Sequence, residues 1–217
     1  MAKEERKNEQ PLFADSLRLA QEEVSRCVVE LVRSEPFYGH VLGGLQRHFT
    51  REIETLAVGL RGDAIQLMVN PEFFLNELKR PEYRTAVLKH EVLHIVFKHV
   101  FRNKSLARDP DLWNIAADLV VNQYVPPYKL PDGAILLSTF PDLNLVPDDT
   151  ADNYYDALLK LKGDLSKGKK STKSPKSIES LVDILSKSMP SDHTYWADSN
   201  SPEIDGERTG ASLPQMV

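Results

Sequence analysis

The chain has a single cysteine, Cys27, among 217 residues, so an internal disulfide framework is excluded. It also lacks the run of about eighteen apolar residues that a membrane span needs. The charged N-terminus, MAKEERKNEQ, has no apolar stretch typical of a signal peptide. Basic residues are outnumbered, 27 Lys and Arg against 32 Asp and Glu, and the net charge of −5 gives no electrostatic basis for binding nucleic acid. These absences predict a cytoplasmic protein that binds neither nucleic acid nor a membrane.

What the chain does have is a length and an apolar content, 41% hydrophobic, that suffice for one sizeable core. Composition divides it into four parts. We predict a disordered N-terminus over residues 1–11, a folded domain over 12–162, a flexible basic loop over 163–177, and a C-terminal helix and tail over 178–217.

The most informative segment is an apolar, helix-forming run that contains the pattern His-Glu-x-x-His. Residues four apart lie on one face of an α-helix, so His90 and His94 can both direct an imidazole at one metal ion. Glu91 follows the first of them, and from there its carboxylate can reach a water on the metal. Two neutral imidazoles, a carboxylate base and a polarised water are what a zinc hydrolase needs.

The alternative is a core helix with two incidentally placed histidines. The surrounding apolar residues favour the metal site, because a buried helix that carries two histidines and a glutamate without a partner is costly. His99 does not extend the pattern, since a continuous helix would place it on roughly the opposite face. We predict a surface or structural role for it.

Asp118 is the best candidate for a third ligand. It lies in a second helical stretch, residues 113–124, where Asn114, Asp118 and Asn122 form a polar stripe on an otherwise apolar helix. A carboxylate in that setting calls for a partner, and a metal ion is a suitable one. The asparagines would then hold the carboxylate or a histidine N–H. The alternative is that the charge is satisfied by neighbouring side chains, namely Asn114, Asn122, Arg102 or Arg108.

A second candidate for a site role lies in the tail, in the cluster Asp192-His193-Thr194-Tyr195-Trp196. His193 could replace Asp118 as the metal ligand, or it could act in catalysis by donating a hydrogen bond to the oxyanion of a tetrahedral intermediate. The alternative is a solvated His193 in a tail that Trp196 anchors.

Two apolar runs, residues 55–60 and 64–69, flank Arg61-Gly62-Asp63 and predict an antiparallel hairpin just before the motif helix. One edge of that hairpin could face the active-site cleft and bind an extended peptide through its main chain. Equally, the hairpin could do no more than cover the helix.

Four segments together resemble a known family: KHEVLHIVFKH, DPDLWNIAADLVVNQYV, LPDGAIL and DHTYW. They resemble, over residues 15–200, the bacterial metallopeptidase domain that precedes a von Willebrand factor A-like domain and is often encoded beside a MoxR-type AAA ATPase. The resemblance implies a zincin-like fold and a peptidase activity, with His90, Glu91 and His94 as site residues and Asp118 beside them. No complete A-type domain follows before Val217, so the chain could be a fragment or a short member.

These observations predict an α+β, mostly helical fold: a zincin-like domain, with a small antiparallel sheet packed on the motif helix. We predict a zinc-dependent peptidase in which His90, His94 and Asp118 hold Zn²⁺ and Glu91 activates the metal-bound water that attacks a peptide bond. The expected partners are a peptide or protein substrate and a MoxR-type AAA ATPase. The alternative is a non-catalytic metal-binding interaction module that works with that ATPase.

Overall fold

The computed structural model describes residues 2–62, 64–101, 109–166 and 175–186, which form six α-helices and one small sheet. None of these helices is long and apolar enough to span a membrane. The α-helices are α1 (Ala2–Ser34), α2 (Pro36–Gly44), α3 (Pro81–Val96), α4 (Pro110–Val121), α5 (Ala151–Ser166) and α6 (Pro175–Ser186). Short turns of π-helix (Phe73–Glu77) and 3₁₀-helix (His99–Phe101, Leu137–Thr139, Pro141–Leu143) connect some of them.

The sheet has three strands, β1 (Gln46–Phe49), β2 (Leu56–Arg61) and β3 (Ala64–Val69), in the order β1-β3-β2. The predicted antiparallel hairpin is confirmed as β2 and β3. The prediction of a purely antiparallel sheet is wrong, because β1 pairs with β3 in parallel. The sheet is therefore mixed, and β2 is left as an edge strand. The fold remains α+β and mostly helical, as the sequence predicts.

The first two helices pack at very close range through Gly39. A Cβ atom built at this position would lie 2.4 Å from the backbone nitrogen of Val32, which no real side chain could accept. Pro36 occupies the first turn of α2, where a missing N–H is tolerated, so the chain turns sharply from α1 into α2. Helix α1 includes residues 2–11, for which the composition predicts a disordered N-terminus.

The core forms where α3 and α4 meet the sheet and α1. Leu88 and Val92 of α3 are fully buried, and so are Ile115 and Leu119 of α4. Cys27 of α1 belongs to the same core, and burial raises the pKa of its thiol, as expected of a small buried hydrophobic residue. The two helices that carry the histidines and Asp118 are thus embedded in apolar surroundings.

Helices α5 and α6 extend into the stretch 163–177, for which the sequence predicts a flexible basic loop. Residues 163–166 continue α5, and α6 begins at Pro175. Asp142 anchors α6, because its carboxylate accepts the backbone N–H groups of Lys176 and Ser177 at 2.9 and 3.1 Å. The remainder of the predicted loop and the tail lie outside the described residues.

Candidate metal centre

His90 and His94 lie one turn apart on α3 and face each other through their Nε2 atoms, which are 2.9 Å apart. His94 is completely buried, and His90 is nearly so. Pro81 and Glu82 begin this helix, where proline and an acidic residue are both favourable. The structure therefore brings the two imidazoles of the motif together as the spacing predicts.

Asp118 joins them from α4. Its Oδ1 lies 3.3 Å from Nε2 of His94 and 3.5 Å from Nε2 of His90. Asp109 caps the N-terminus of α4, because its side chain accepts the N–H of Leu112, and the helix carries Asp118 into the core two turns further on. Among the described residues, these three form the group that could hold a metal ion.

Asn122 indicates which ring nitrogen of His90 carries a proton. Its amide nitrogen donates to the carbonyl oxygen of Ile135 at 2.8 Å, so its Oδ1 is the atom that faces Nδ1 of His90 at 2.7 Å. Because Oδ1 can only accept, Nδ1 of His90 carries the proton and donates it. A neutral His90 then presents a bare Nε2 lone pair to the centre, which is the state a metal requires.

His99 contacts His94 on the side of the ring away from the centre. Its Nδ1 lies 3.2 Å from Nδ1 of His94, and its ring stacks on Phe97 and meets the edge of Trp113. The prediction that His99 lies on the opposite face assumes a continuous helix. Helix α3 instead ends at Val96, and Lys98 adopts a positive φ of 62°, which turns the chain back. His99 is consequently buried beside the centre rather than on the surface.

The donor set and its dimensions fit a zinc ion. Tetrahedral zinc with bonds of about 2.0–2.1 Å to nitrogen and oxygen places neighbouring ligand atoms about 3.3 Å apart. The three atoms here are separated by 2.9, 3.3 and 3.5 Å. Two imidazoles and one carboxylate also leave a fourth position for water, which is typical of catalytic zinc sites.

One carboxylate oxygen of Glu91 contacts the sheet. Its Oε2 accepts the backbone N–H of Val58 in β2 at 2.9 Å, and the residue is buried. This contact joins α3 to β2 and restricts the rotamers that the Glu91 side chain can adopt. A structural function of Glu91 is not visible in the motif, because its partner lies 33 residues away in the sequence.

The N–H of Val58 that bonds to Glu91 belongs to the outer edge of β2, which is the side away from β3. The N–H of Asn70 bonds to the carbonyl of Thr55, so Thr55 is in a hydrogen-bonded pair with β3. In an antiparallel ladder alternate residues turn their backbone groups outwards, which places those of Leu56, Val58 and Leu60 on the side of β2 away from β3. The bond from Val58 to Glu91 agrees with this assignment.

The remaining predicted site residues are distributed as follows. Asn114 is buried one turn before Asp118, and its Oδ1 has no hydrogen-bond partner among the described residues. His193, Arg102 and Arg108 lie outside the described residues, so the roles predicted for them stay predictions.

Comparison with known proteins agrees with the chemistry of this centre. A protein of Thermotoga maritima, described as an uncharacterized protein, is 32% identical over 109 residues, which are 49% of this chain and 26% of that protein. The chain thus matches about a quarter of that relative's length. No solved structure matches the chain. A family model described as "Putative metallopeptidase domain" matches residues 20–203, and the chain therefore belongs to that family.

Proposed function

We propose that the protein is a zinc-dependent peptidase whose metal is held by His90, His94 and Asp118. The observation that carries this proposal is the convergence of two imidazole nitrogens and a carboxylate oxygen within 3.5 Å of one another in a buried setting. Two imidazoles and a carboxylate are typical zinc ligands. Bound zinc would polarise a peptide carbonyl and lower the pKa of water at this centre.

The chain's own residues provide binding, orientation and proton transfer. Asn122 keeps the proton of His90 on Nδ1, and His99 contacts Nδ1 of His94, so the two rings keep their orientation. Glu91 acts as the general base: a carboxylate oxygen takes a proton from the attacking water and passes it to the leaving amine. The N–H of Val58 orients that carboxylate.

We further propose that the substrate binds as an extended strand along the outer edge of β2. The outward backbone groups of Leu56 and Leu60 lie on either side of Val58, whose N–H bonds to Glu91. A peptide that pairs with them would run past Glu91. This geometry favours unfolded or flexible protein segments as substrates, because a helix cannot pair with a strand edge.

The contact between Glu91 and Val58 also supports a second function. A buried glutamate that bonds to a backbone N–H has a structural use even where no catalysis occurs. In that case the centre is a non-catalytic metal site in an interaction module, and a MoxR-type AAA ATPase is the proposed partner. The two functions differ in what Glu91 does to a substrate.

The experiment is a screen of the zinc-loaded protein against a library of unstructured peptides, with Glu91→Gln in parallel. The amide of glutamine can still accept the N–H of Val58 but cannot take a proton from water. We expect cleavage by the wild type and a loss of about 10²–10⁴-fold in the variant. Equal cleavage by both proteins would contradict the proposed base. No cleavage by zinc-loaded wild type across the library favours the interaction module.

A further inference from the structure

Lys89 is a fully buried cation next to the metal centre, with 1% of its surface exposed. Its three ammonium protons have three acceptors: the carboxylate of Glu35 at 2.8–2.9 Å and the carbonyl oxygens of Val125 and Pro126 at 3.1 and 3.0 Å. The rings of Tyr38 and Tyr128 complete its surroundings. Every donor is used, so the ammonium has no capacity for a ligand, and its contacts are internal.

These contacts join three parts of the chain close to the ligands. Lys89 directly precedes His90 on α3, and the two carbonyls belong to the segment that follows α4. Asn122, which holds the imidazole of His90, lies only three residues before Val125. Lys89 therefore fixes the end of α4 against α3 at the position where Asn122 meets His90.

We propose that Lys89 is a positioning residue for the metal centre: it acts through Val125 and Pro126 to hold Asn122 against His90. The inference rests on the proposed metal site. His90 and Asp118 are on different helices, so the separation of their ligand atoms depends on how α3 and α4 are held together. Besides the hydrogen bond of Asn122 to His90 itself, the Lys89 clamp is a polar link across this junction, and it begins one residue from His90.

The sign of the expected effect separates this role from simple electrostatics. Removal of the ammonium leaves Glu35 as an uncompensated negative charge in the same region. The loss of a nearby positive charge and the uncompensated carboxylate would each strengthen the binding of a divalent cation if charge alone mattered. A weaker affinity in Lys89→Met would therefore not be an effect of charge, and the control below separates altered geometry from general destabilisation. Methionine retains much of the apolar stem and its packing between the tyrosines.

Arg84 provides a matched control on the same helix. It is also a mostly buried cation, and it binds the carbonyls of Phe74, Leu75 and Leu78 and the carboxylate of Glu23. These partners lie at the opposite end of α3 from the ligands, on α1 and the π-helical turn. Arg84→Met should lower the free energy of unfolding as Lys89→Met does, but it should leave the centre intact.

The experiment is a titration of the full chain with Co²⁺, monitored by ligand-field absorption, for wild type, Lys89→Met, Arg84→Met and the double variant Lys89→Met/Glu35→Gln. The double variant removes both charges together, so it keeps the comparison possible if the single change prevents folding. We expect an affinity about 10–100-fold lower and an altered spectrum at saturation in both Lys89 variants. Arg84→Met should match the wild type in both readouts.

Three results would overturn the inference, and they are distinguishable. Wild-type affinity and spectrum in the Lys89 variants would show that the clamp contributes to folding alone, while the metal site stands. Equal Co²⁺ binding by wild type and by His90→Ala/His94→Ala would remove the metal site itself, and the role of Lys89 with it. Equal losses in the Lys89 variants and in Arg84→Met would show a general consequence of destabilisation and would also contradict the proposal.

Discussion

The side-chain oxygen of Asn122 lies 2.7 Å from Nδ1 of His90 and accepts a hydrogen bond from it, while the amide nitrogen of the same residue donates to the carbonyl oxygen of Ile135. The asparagine thus links the C-terminal end of α4, the metal helix and the segment after residue 130. Both of its hydrogen-bonding groups are used. Rotation of the amide by 180° would place its NH₂ group against the N–H of His90 and its oxygen against the carbonyl oxygen of Ile135. The orientation of His90 depends on this link.

Asn122→Ala should weaken zinc affinity by about 10–100-fold, because His90 loses the acceptor that holds its ring and tautomer. Gln123→Ala is the control. Its side chain bonds to Leu119, Tyr154 and Asp148 rather than to the centre, so its affinity should equal that of the wild type. Competition with a chromophoric chelator measures both. Equal affinities in the two variants would contradict the role of Asn122.

The wild-type protein should carry about one zinc per chain. His90→Ala/His94→Ala should abolish binding, because only one protein ligand remains. Asp118→Ala should lower affinity more than Asn122→Ala does, since a charged ligand is lost rather than a supporting hydrogen bond. Elemental analysis after gel filtration provides the measurement. If His193→Ala removes the metal and Asp118→Ala does not, the third ligand is His193.

Much of the centre could be predicted because its signals are local. The spacing of His90 and His94 on one helix and the isolated carboxylate of Asp118 among apolar residues both follow from helical periodicity. Asn122 belongs to the same stripe, so its support of a histidine N–H is confirmed in the structure. The hairpin of β2 and β3 likewise joins neighbours in the sequence.

The features that sequence reasoning missed depend on distant partners. Strand β1 is four residues long and pairs in parallel with β3. Because parallel strands are not joined by a tight turn, the sequence has no hairpin signal that predicts this pairing. The clamp of Lys89 on Glu35 spans 54 residues. His99 was misplaced for a local reason: the helix ends three residues earlier and reverses at Lys98. A helix-forming sequence does not state where packing ends the helix.

Two glycines of α2 should respond to alanine in opposite directions. Gly39→Ala should destabilise the protein by about 2–3 kcal/mol, because the new Cβ would overlap the backbone of Val32. Gly43→Ala should stabilise it by about 0.5 kcal/mol, since its Cβ would make an ordinary 3.6 Å contact with Val28 and alanine favours the helix. Urea unfolding measures both. Similar values for the two variants would contradict the close packing of α1 on α2.

Asp109 should give the protein a pH-dependent contribution to stability. Burial alone would raise the pKa of this carboxyl, but Lys162 and the N–H of Leu112 lower it below its ordinary value. The group is charged when folded and protonates more readily when unfolded, so its contribution is present above about pH 4 and is lost as the pH falls below that. Asp109→Asn keeps the helix cap but not the ion pair.

At pH 7 we expect Asp109→Asn to be less stable than the wild type by about 0.5–1 kcal/mol. The difference should shrink as the pH falls through the lowered pKa of Asp109. Lys162→Met should behave in the same way, because it removes the same interaction from the other side. Urea unfolding at a series of pH values supplies the differences. A gap that stays constant down to pH 2 would show that the ion pair does not lower the pKa of Asp109.

Glu91 should contribute to folding and to catalysis in separable ways. Glu91→Gln retains an oxygen that can accept the N–H of Val58, whereas Glu91→Ala leaves that N–H without its acceptor and opens a gap beside β2. We expect the alanine variant to lose about 1–3 kcal/mol of unfolding free energy and the glutamine variant to lose much less.

Both variants of Glu91 should keep zinc, because Glu91 is not among the three proposed ligands. Both should lose peptidase activity, because neither side chain can take the proton of water. Equal stability of the alanine and glutamine variants would contradict the bond to Val58, and loss of zinc from the glutamine variant would place Glu91 among the ligands instead.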